Sequence, residues 1–379
     1  MNGAMSMEAV VLHEPGRAVE VETVLLDPPR AEEVLVRVAA AGVCHSDLHL
    51  ADGLLGDGRW PLVLGHEGAG VVEAVGEHVH HLAVGDHVVF SIVPSCGVCA
   101  QCRAGRPTLC EPAGRNIRAG TLMDGTSRLR AADGSPLQHG FMVACFAQYA
   151  VVPAAGALHV PRSIPFWQAA LLGCGVITGI GAVAHARVAA GDSVCVIGCG
   201  GVGLQVIAGA RLAGATTIVA IDRDPEKLER ASMRGATHTI NAAREDPPEA
   251  VMALTGRGVD RAFEVVGDPV TIRQAWDTLA PGGTAVVVGV APPGAEVSLP
   301  AIEFLEQRTI TGSYYGSSDV GAAVAAAAQL VLEGQLALEE VVSHVIELRH
   351  VQSALERLRH GEGARSVVVV DDRLAGWSR

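Results

Sequence analysis

The chain is poor in large rings and in basic charge. Aromatic residues make up only 3% of its 379 positions, so any core has to be packed from smaller side chains. Hydrophobic residues still reach 49%, with 45 Gly, a balance that suits a soluble α/β protein built on Val, Ala and Leu. Lys and Arg number 28 against 41 Asp and Glu, for a net charge of −13. That acidic balance excludes the basic face a nucleic-acid partner needs and disfavours an anionic membrane surface. No apolar run is expected to reach the roughly eighteen residues of a membrane span. The opening MNGAMSMEAVVLHEPG has no charged segment followed by an apolar one, so no export signal is expected. Met5 and Met7 suggest that the first few residues are an added or alternative start without structural content. There is no repeat of fixed period and no low-complexity linker, so a chain of this length predicts two tightly joined domains. Nine cysteines in a chain without an export signal favour a reducing, cytoplasmic compartment and metal or redox roles.

What is present is most concentrated in SIVPSCGVCAQCRAGRPTLC. Cys96, Cys99, Cys102 and Cys110 place four thiols within fifteen residues. Thiolates at this spacing can close a tetrahedron around one Zn²⁺ at about 2.3 Å per bond, leaving no open position, so such a metal would hold a loop rather than turn over substrate. A pair of disulfides is the bland alternative, although cysteines two residues apart bridge poorly. An iron–sulfur cluster uses similar spacings.

The first 170 or so residues read as strands and turns, as in EEVLVRVAAAGV and GAGVVEAVGEHV. Near residue 190 the texture changes to strand, Gly turn, helix, strand in SVCVIGCGGVGLQVIAGARLAGATTIVAID. Gly198, Gly200 and Gly203 form G-x-G-x-x-G, with Gly201 and Val202 inside it. Alone the motif is weak. Between a strand and a helix, with Asp222 nineteen residues beyond Gly203, it has the context of a dinucleotide site. The glycines allow close approach to a pyrophosphate at the helix N-terminus. The Asp222 carboxylate suits the adenosine ribose and opposes a 2′-phosphate, favouring NAD, while the adjacent Arg223 could accommodate that phosphate. Cys199 occupies a variable position of the turn, and its identity reads as incidental. From about residue 320, VGAAVAAAAQLVLEGQL reads as helix and the terminal ARSVVVVDD as strand.

Three scattered segments, AGVCHSDLHLADG, LGHEGAGVV and LLGCGVITGIGA, each carry one strong ligand beside Gly: Cys44, His66 and Cys174. Taken singly, each is an ordinary packed cysteine or histidine, and spacing cannot join them. With the four-cysteine lobe, DGTSR, GCGGVG and GEGARSVVV, they resemble the zinc-dependent medium-chain alcohol dehydrogenases along nearly the whole chain, in particular the long-form branch that includes animal-type and thiol-dependent formaldehyde dehydrogenases. The resemblance implies a Rossmann doubly wound parallel sheet over 176–319 and a GroES-like β-rich catalytic domain over 1–175, to which 320–379 returns. It implies two Zn²⁺ per subunit: a catalytic one on Cys44, His66 and Cys174, with a position left for substrate, and a structural one in the lobe. It makes Asp47 the carboxylate that orients His66, although Asp47 could equally cap a local helical turn. Glu67 becomes the acid behind the metal. Ser46 receives the substrate proton, and His49 passes it to solvent, where the bland reading is a surface imidazole. Coenzyme contacts fall to His45, Thr178, Val202, Lys227, Val290 and Arg365, the first and last of these at the pyrophosphate. Cys145 and Cys195 read as core thiols, and His78, His80 and His81 as surface residues.

The insertion GRNIRAGTLMDGTSRLRAADGSPLQHGFMVACFAQY belongs to the long form, whose members are usually homodimers joined at the edges of their coenzyme-binding sheets. The expected reaction is oxidation of primary alcohols to aldehydes, and the reverse, with NAD. Ile92 stands where some relatives carry a large aromatic, so medium or aromatic alcohols are expected to fit better than ethanol. The alternative is a formaldehyde dehydrogenase acting on a thiol adduct, for which Arg115 or Arg118 could anchor an anion. The thiol-dependent group usually has Thr at the position of Ser46 and Tyr at that of His49, and both departures favour a general alcohol dehydrogenase.

Overall fold

The computed structural model describes residues 3–55 and 60–377. By backbone contacts the chain divides into Met1–Cys174 with Asp319–Arg379, and Gly175–Ser318.

In the first unit, EVLVRVAAAGV supplies an unbroken apolar and β-branched stretch and becomes the long strand Glu33–Val43. Such a stretch needs cover on both faces, and all but one of its residues are buried. It pairs antiparallel with Glu67–Val75, Tyr149–Pro153 and Arg365–Val369, at the centre of a seven-stranded sheet. A small closed barrel stands beside it, made of Met5–Leu12, Glu20–Leu26, Leu129–Ala131, Pro136–His139 and Leu62–Val63. Closure removes the open edges that short strands would otherwise expose. Regular structure begins at Met5, and among the described residues only Gly3 and Ala4 precede it. Met5 pairs with Leu26, Met7 with Val24, and Met7 is buried. The buried Arg128 pins the barrel by donating from Nε to Glu33 at 2.8 Å and from Nη2 to Asp124 at 2.6 Å.

The second unit is a six-stranded parallel sheet. Numbered by sequence from Ser193–Ile197, its strands lie in the order 3-2-1-4-5-6, the doubly wound dinucleotide-binding arrangement. Its core is packed from Cys195, Ile197, Val219, Ile221, Phe263 and Trp276, all nearly inaccessible. This is how a chain with few rings makes a core: small β-branched residues dominate, with an occasional large anchor.

One apolar segment is longer than the sequence led one to expect. Phe166–His185 forms a continuous 20-residue helical run with mean hydropathy 1.6, long and apolar enough to cross a membrane by length and composition. It is 83% buried within the protein, as a core helix would be. The stretch read as helical near residue 320 forms Val320–Leu332, and the terminal strand is Arg365–Val369.

Candidate active site and metal centres

The strand Glu33–Val43 delivers Cys44 to the N-terminus of the short helix His45–Ala51, where Cys44 is the capping residue. His66 lies in the connection that ends at Glu67, first residue of the neighbouring strand Glu67–Val75. Cys174 sits in a π-helical turn, Leu172–Val176, a local widening often found at functional sites. All three are buried, and their ligand atoms lie within 4.8 Å of one another.

Asp47 ties two of them together. One carboxylate oxygen accepts the Cys44 backbone N–H at 3.0 Å, and the other lies 2.8 Å from His66 Nδ1. Capping and orienting are thus done by one side chain. The remaining ring nitrogen, His66 Nε2, is buried without a hydrogen-bond partner. A buried polar atom left open in this way, facing two thiols, fits a metal ion, and two thiolates with one imidazole are a zinc donor set with room for a fourth ligand. Burial pushes His66 towards its neutral form, but the charge and hydrogen bond of Asp47 overcome this and raise its pKa well above the ordinary value. Cys44 is held well below the usual thiol range by the hydrogen bond from Cys174, with Arg365 and His66 adding to it, while Cys174 is raised by that same pairing. A cation bound between the two sulfurs would take the place of any proton they hold.

Behind the ligands, Glu67 is completely buried and its Oε2 lies 3.2 Å from Nη1 of Arg365. The space for this pair comes from Gly42, the strand partner of Glu67: a Cβ there would fall 2.2 Å from Oε2. Arg365, which the resemblance sends to the pyrophosphate, here lies at 6% exposure and also donates to the Val43 carbonyl at 3.1 Å. Ser46 Oγ is 3.9 Å from Cys44 Sγ. His49 lies on the same short helix, its ring centroid 6.1 Å from that of the exposed His45. Burial lowers the His49 pKa against the opposing charges of Cys44 and Asp52. Phe141 was not legible as a site residue. Its backbone is left-handed at φ 52°, and its ring packs on His66 with centroids 4.8 Å apart. Only topology brings the two together.

The four-cysteine lobe is a second cluster, again with ligand atoms within 4.8 Å of one another. The Cys96 amide donates to Cys110 Sγ at 3.3 Å and the Cys99 amide to Cys96 Sγ at 3.4 Å, so the backbone is folded to stabilise thiolates. All nine cysteines are free thiols, which removes the disulfide alternative.

In the second unit, Gly198 follows the strand Ser193–Ile197, Gly200 caps the helix Gly201–Leu212, and Val202 and Gly203 lie in its first turn. A Cβ on Gly203 would stand 1.8 Å from the Gly198 carbonyl, so the turn can close only over glycine. Asp222 ends the adjacent strand, accepting the Cys199 amide at 2.8 Å and the Asp224 amide at 3.0 Å. Cys199 in this turn is fully buried, and its thiol donates to the Ile221 carbonyl at 3.6 Å. Arg223 is exposed and Lys227 partly buried beyond it. Val290 is 43% exposed, and its backbone packs on Gly267. Thr178 lies on the helix Ile177–His185, which packs against Gly201–Leu212. The carboxyl ends of the strands, where dinucleotides bind in such sheets, thus carry the Gly turn, Asp222 and the Val290 loop.

Residues 30–162 match the alcohol dehydrogenase GroES-like domain, and residues 201–332 match the zinc-binding dehydrogenase family. A protein of Synechocystis named S-(hydroxymethyl)glutathione dehydrogenase is 37% identical over 96% of this chain and 100% of its own length. The chain belongs to the zinc-dependent medium-chain alcohol dehydrogenases. A similarly named protein of Photobacterium damsela is also 37% identical over the same shares. Among solved structures, a zinc-binding alcohol dehydrogenase domain protein from Burkholderia ambifaria superposes with a TM-score of 0.92 at 36% identity, covering 97% of this chain and 100% of that one. Benzyl alcohol dehydrogenase from Acinetobacter calcoaceticus gives 0.91 at 31% identity with the same coverage. This dehydrogenase is an oxidoreductase acting on CH–OH groups, with zinc and NAD as cofactors.

Proposed function

We propose that this alcohol dehydrogenase oxidises medium-chain or aromatic primary alcohols, and reduces the corresponding aldehydes, at the buried Cys44, His66 and Cys174 cluster. The observation that carries the reading is the open His66 Nε2 facing two thiols, with its ring fixed by Asp47. Zn²⁺ held there supplies a Lewis acid able to lower the pKa of a bound hydroxyl from about 16 towards 7, and bound NAD supplies the hydride acceptor. The protein's own groups do the rest. Asp47 engages His66 Nδ1, which leaves Nε2 as the nitrogen that would hold the metal in exchange for its proton. Ser46, two residues from a ligand, receives the substrate proton. His49, kept neutral by burial, is ready to accept that proton and hand it on. Glu67 and Arg365 compensate each other's charge behind the ligands. Bound coenzyme would be held in the second unit by the Gly198–Gly203 turn and Asp222, with Thr178, Lys227 and Val290 as further contacts. The four-cysteine lobe holds a second zinc that takes no part in turnover.

Two features support the substrate class. Ile92, buried here, stands where the resemblance puts a large aromatic in some relatives, and the partly exposed Phe141 offers an apolar face beside His66. Steady-state rates over a series of primary alcohols test this: kcat/KM should rise from ethanol to hexanol or benzyl alcohol, and a sharp optimum at ethanol would overturn it. The names of the relatives favour a second reading, a formaldehyde dehydrogenase acting on a thiol adduct, with exposed Arg115 and Arg118 on the helix Glu111–Ala119 as anion anchors. Formaldehyde oxidation that depends strictly on added glutathione would select it.

The protein is proposed to act as a cytoplasmic homodimer. Nine free thiols suit a reducing compartment. The strand Thr309–Gly312 ends the parallel sheet, and near it Ile302, Phe304 and Leu305 are 71%, 47% and 78% exposed, an apolar surface that a second copy would cover. Sedimentation velocity at micromolar concentration should give a dimer.

A further inference from the structure

The π turn that carries Cys174 continues directly from the helix Phe166–Leu171. The aim of Cys174 therefore depends on how that helix is held. It starts after Pro165 with no side-chain cap, so its first N–H groups need acceptors from elsewhere. One acceptor comes from the far end of the chain: the Trp167 amide donates to the Ala375 carbonyl at 3.2 Å. The Trp377 ring then packs edge-on against Trp167, with centroids 4.7 Å apart at 77°. Gly376 lies between them at φ 73°, where a Cβ would stand 3.0 Å from Cβ of Pro165. Ala375 is fully buried and Trp167 is 5% exposed. The tail is fixed at its own base, because the Ala375 amide donates to the Asp371 carbonyl at 2.9 Å just beyond the strand Arg365–Val369. Helix, tail and all three ligands lie in one compact unit.

We propose that the tail Leu374–Trp377 is a positioning element for the metal ligand Cys174. It caps and clamps the first turn of the helix, and the helix carries that constraint to the π turn seven residues on, about 10 Å along the axis. A short, fully buried helix has no slack to absorb a shift at its start, so a loosened first turn moves Sγ relative to Cys44 and His66. The inference rests on reading those three residues as a metal site. Groups that bond a ligand directly change metal affinity by about 10- to 100-fold, and a support acting through a helix is expected at the lower end of that range.

The test is zinc release from the full-length protein to a chromogenic chelator, with Cys44→Ser used to assign the phases. Trp377→Ala should release the zinc of the Cys44 site about 10-fold faster while the four-cysteine lobe releases at its original rate, and Trp377→Phe should restore the slow phase. Gly376→Ala, which displaces the tail without removing the ring, should act in the same direction and serves if Trp377→Ala does not accumulate. Unchanged release in the variants overturns the proposal. So does acceleration of both phases together with a lower Tm, which would mean general stabilisation only. A wild-type protein that holds zinc in the lobe alone would instead overturn the underlying reading of the metal site.

Discussion

At the scale of single residues, Asp47 shows how much one side chain can determine. Its carboxylate caps a helix and orients a metal ligand, so replacing it affects both. Asp47→Asn keeps the shape and removes the charge that sets His66, and should weaken zinc at the Cys44 site by about 10- to 100-fold, measured by competition with a chelator. His139 offers a separate test. It is fully buried in the barrel, its Nε2 accepts the Arg128 amide at 3.1 Å, and burial together with the Arg128 charge pushes its pKa down to about 3. An unfolded histidine titrates near 6.5, so between about pH 6.5 and 3 the unfolded chain binds a proton that the folded one refuses. Stability should fall with acidification across that window by about 1.4 kcal/mol per pH unit from this residue. Asp124 acts in a different window. Burial opposes its ionisation, but bonds from Thr126 and Arg128 lower its pKa to about 2, so its contribution is present above about pH 4 and lost below. His139→Gln, which can still accept from Arg128, should therefore flatten the stability profile between pH 6.5 and 4.5. Denaturant midpoints with equal slopes in the two proteins would contradict this.

At the scale of elements, the Gly turn was the most legible part of the chain and the helix bearing Cys174 the least. The turn declares itself because three glycines, a strand and an acid stand in order within one stretch of sequence, and the 1.8 Å clearance at Gly203 explains why no other residue serves. Gly203→Ala should raise KM for NAD by about tenfold or more, about 1.4 kcal/mol, with zinc content unchanged. Cys44, His66 and Cys174 are a contrasting case. Each comes from a different element, and only pairing of Glu33–Val43 with Glu67–Val75, with the helix Phe166–Leu171 packed on both, brings them within ligand distance. Local patterning could not show this, and the family resemblance could. Phe141 and the tail Leu374–Trp377 were missed for the same reason, since their roles come from contacts with residues far away in sequence.

At the scale of the whole molecule, the two clusters of candidate metal ligands differ in kind. The lobe is compact in sequence, partly exposed and closed by four sulfurs, whereas the Cys44 cluster is dispersed, fully buried and open at one position. Cys102→Ser should accordingly lower Tm or weaken self-association before it changes the chemical step. A stable, assembled variant with a selectively lowered kcat would contradict that assignment.

The most direct test of the account is Cys44→Ala, assayed for alcohol-dependent NADH formation and for NAD binding on the same preparation. The account predicts that one of two zincs is lost and turnover disappears while NAD affinity stays within about twofold, a difference of less than 0.5 kcal/mol. Alcohol oxidation at the wild-type rate would contradict it.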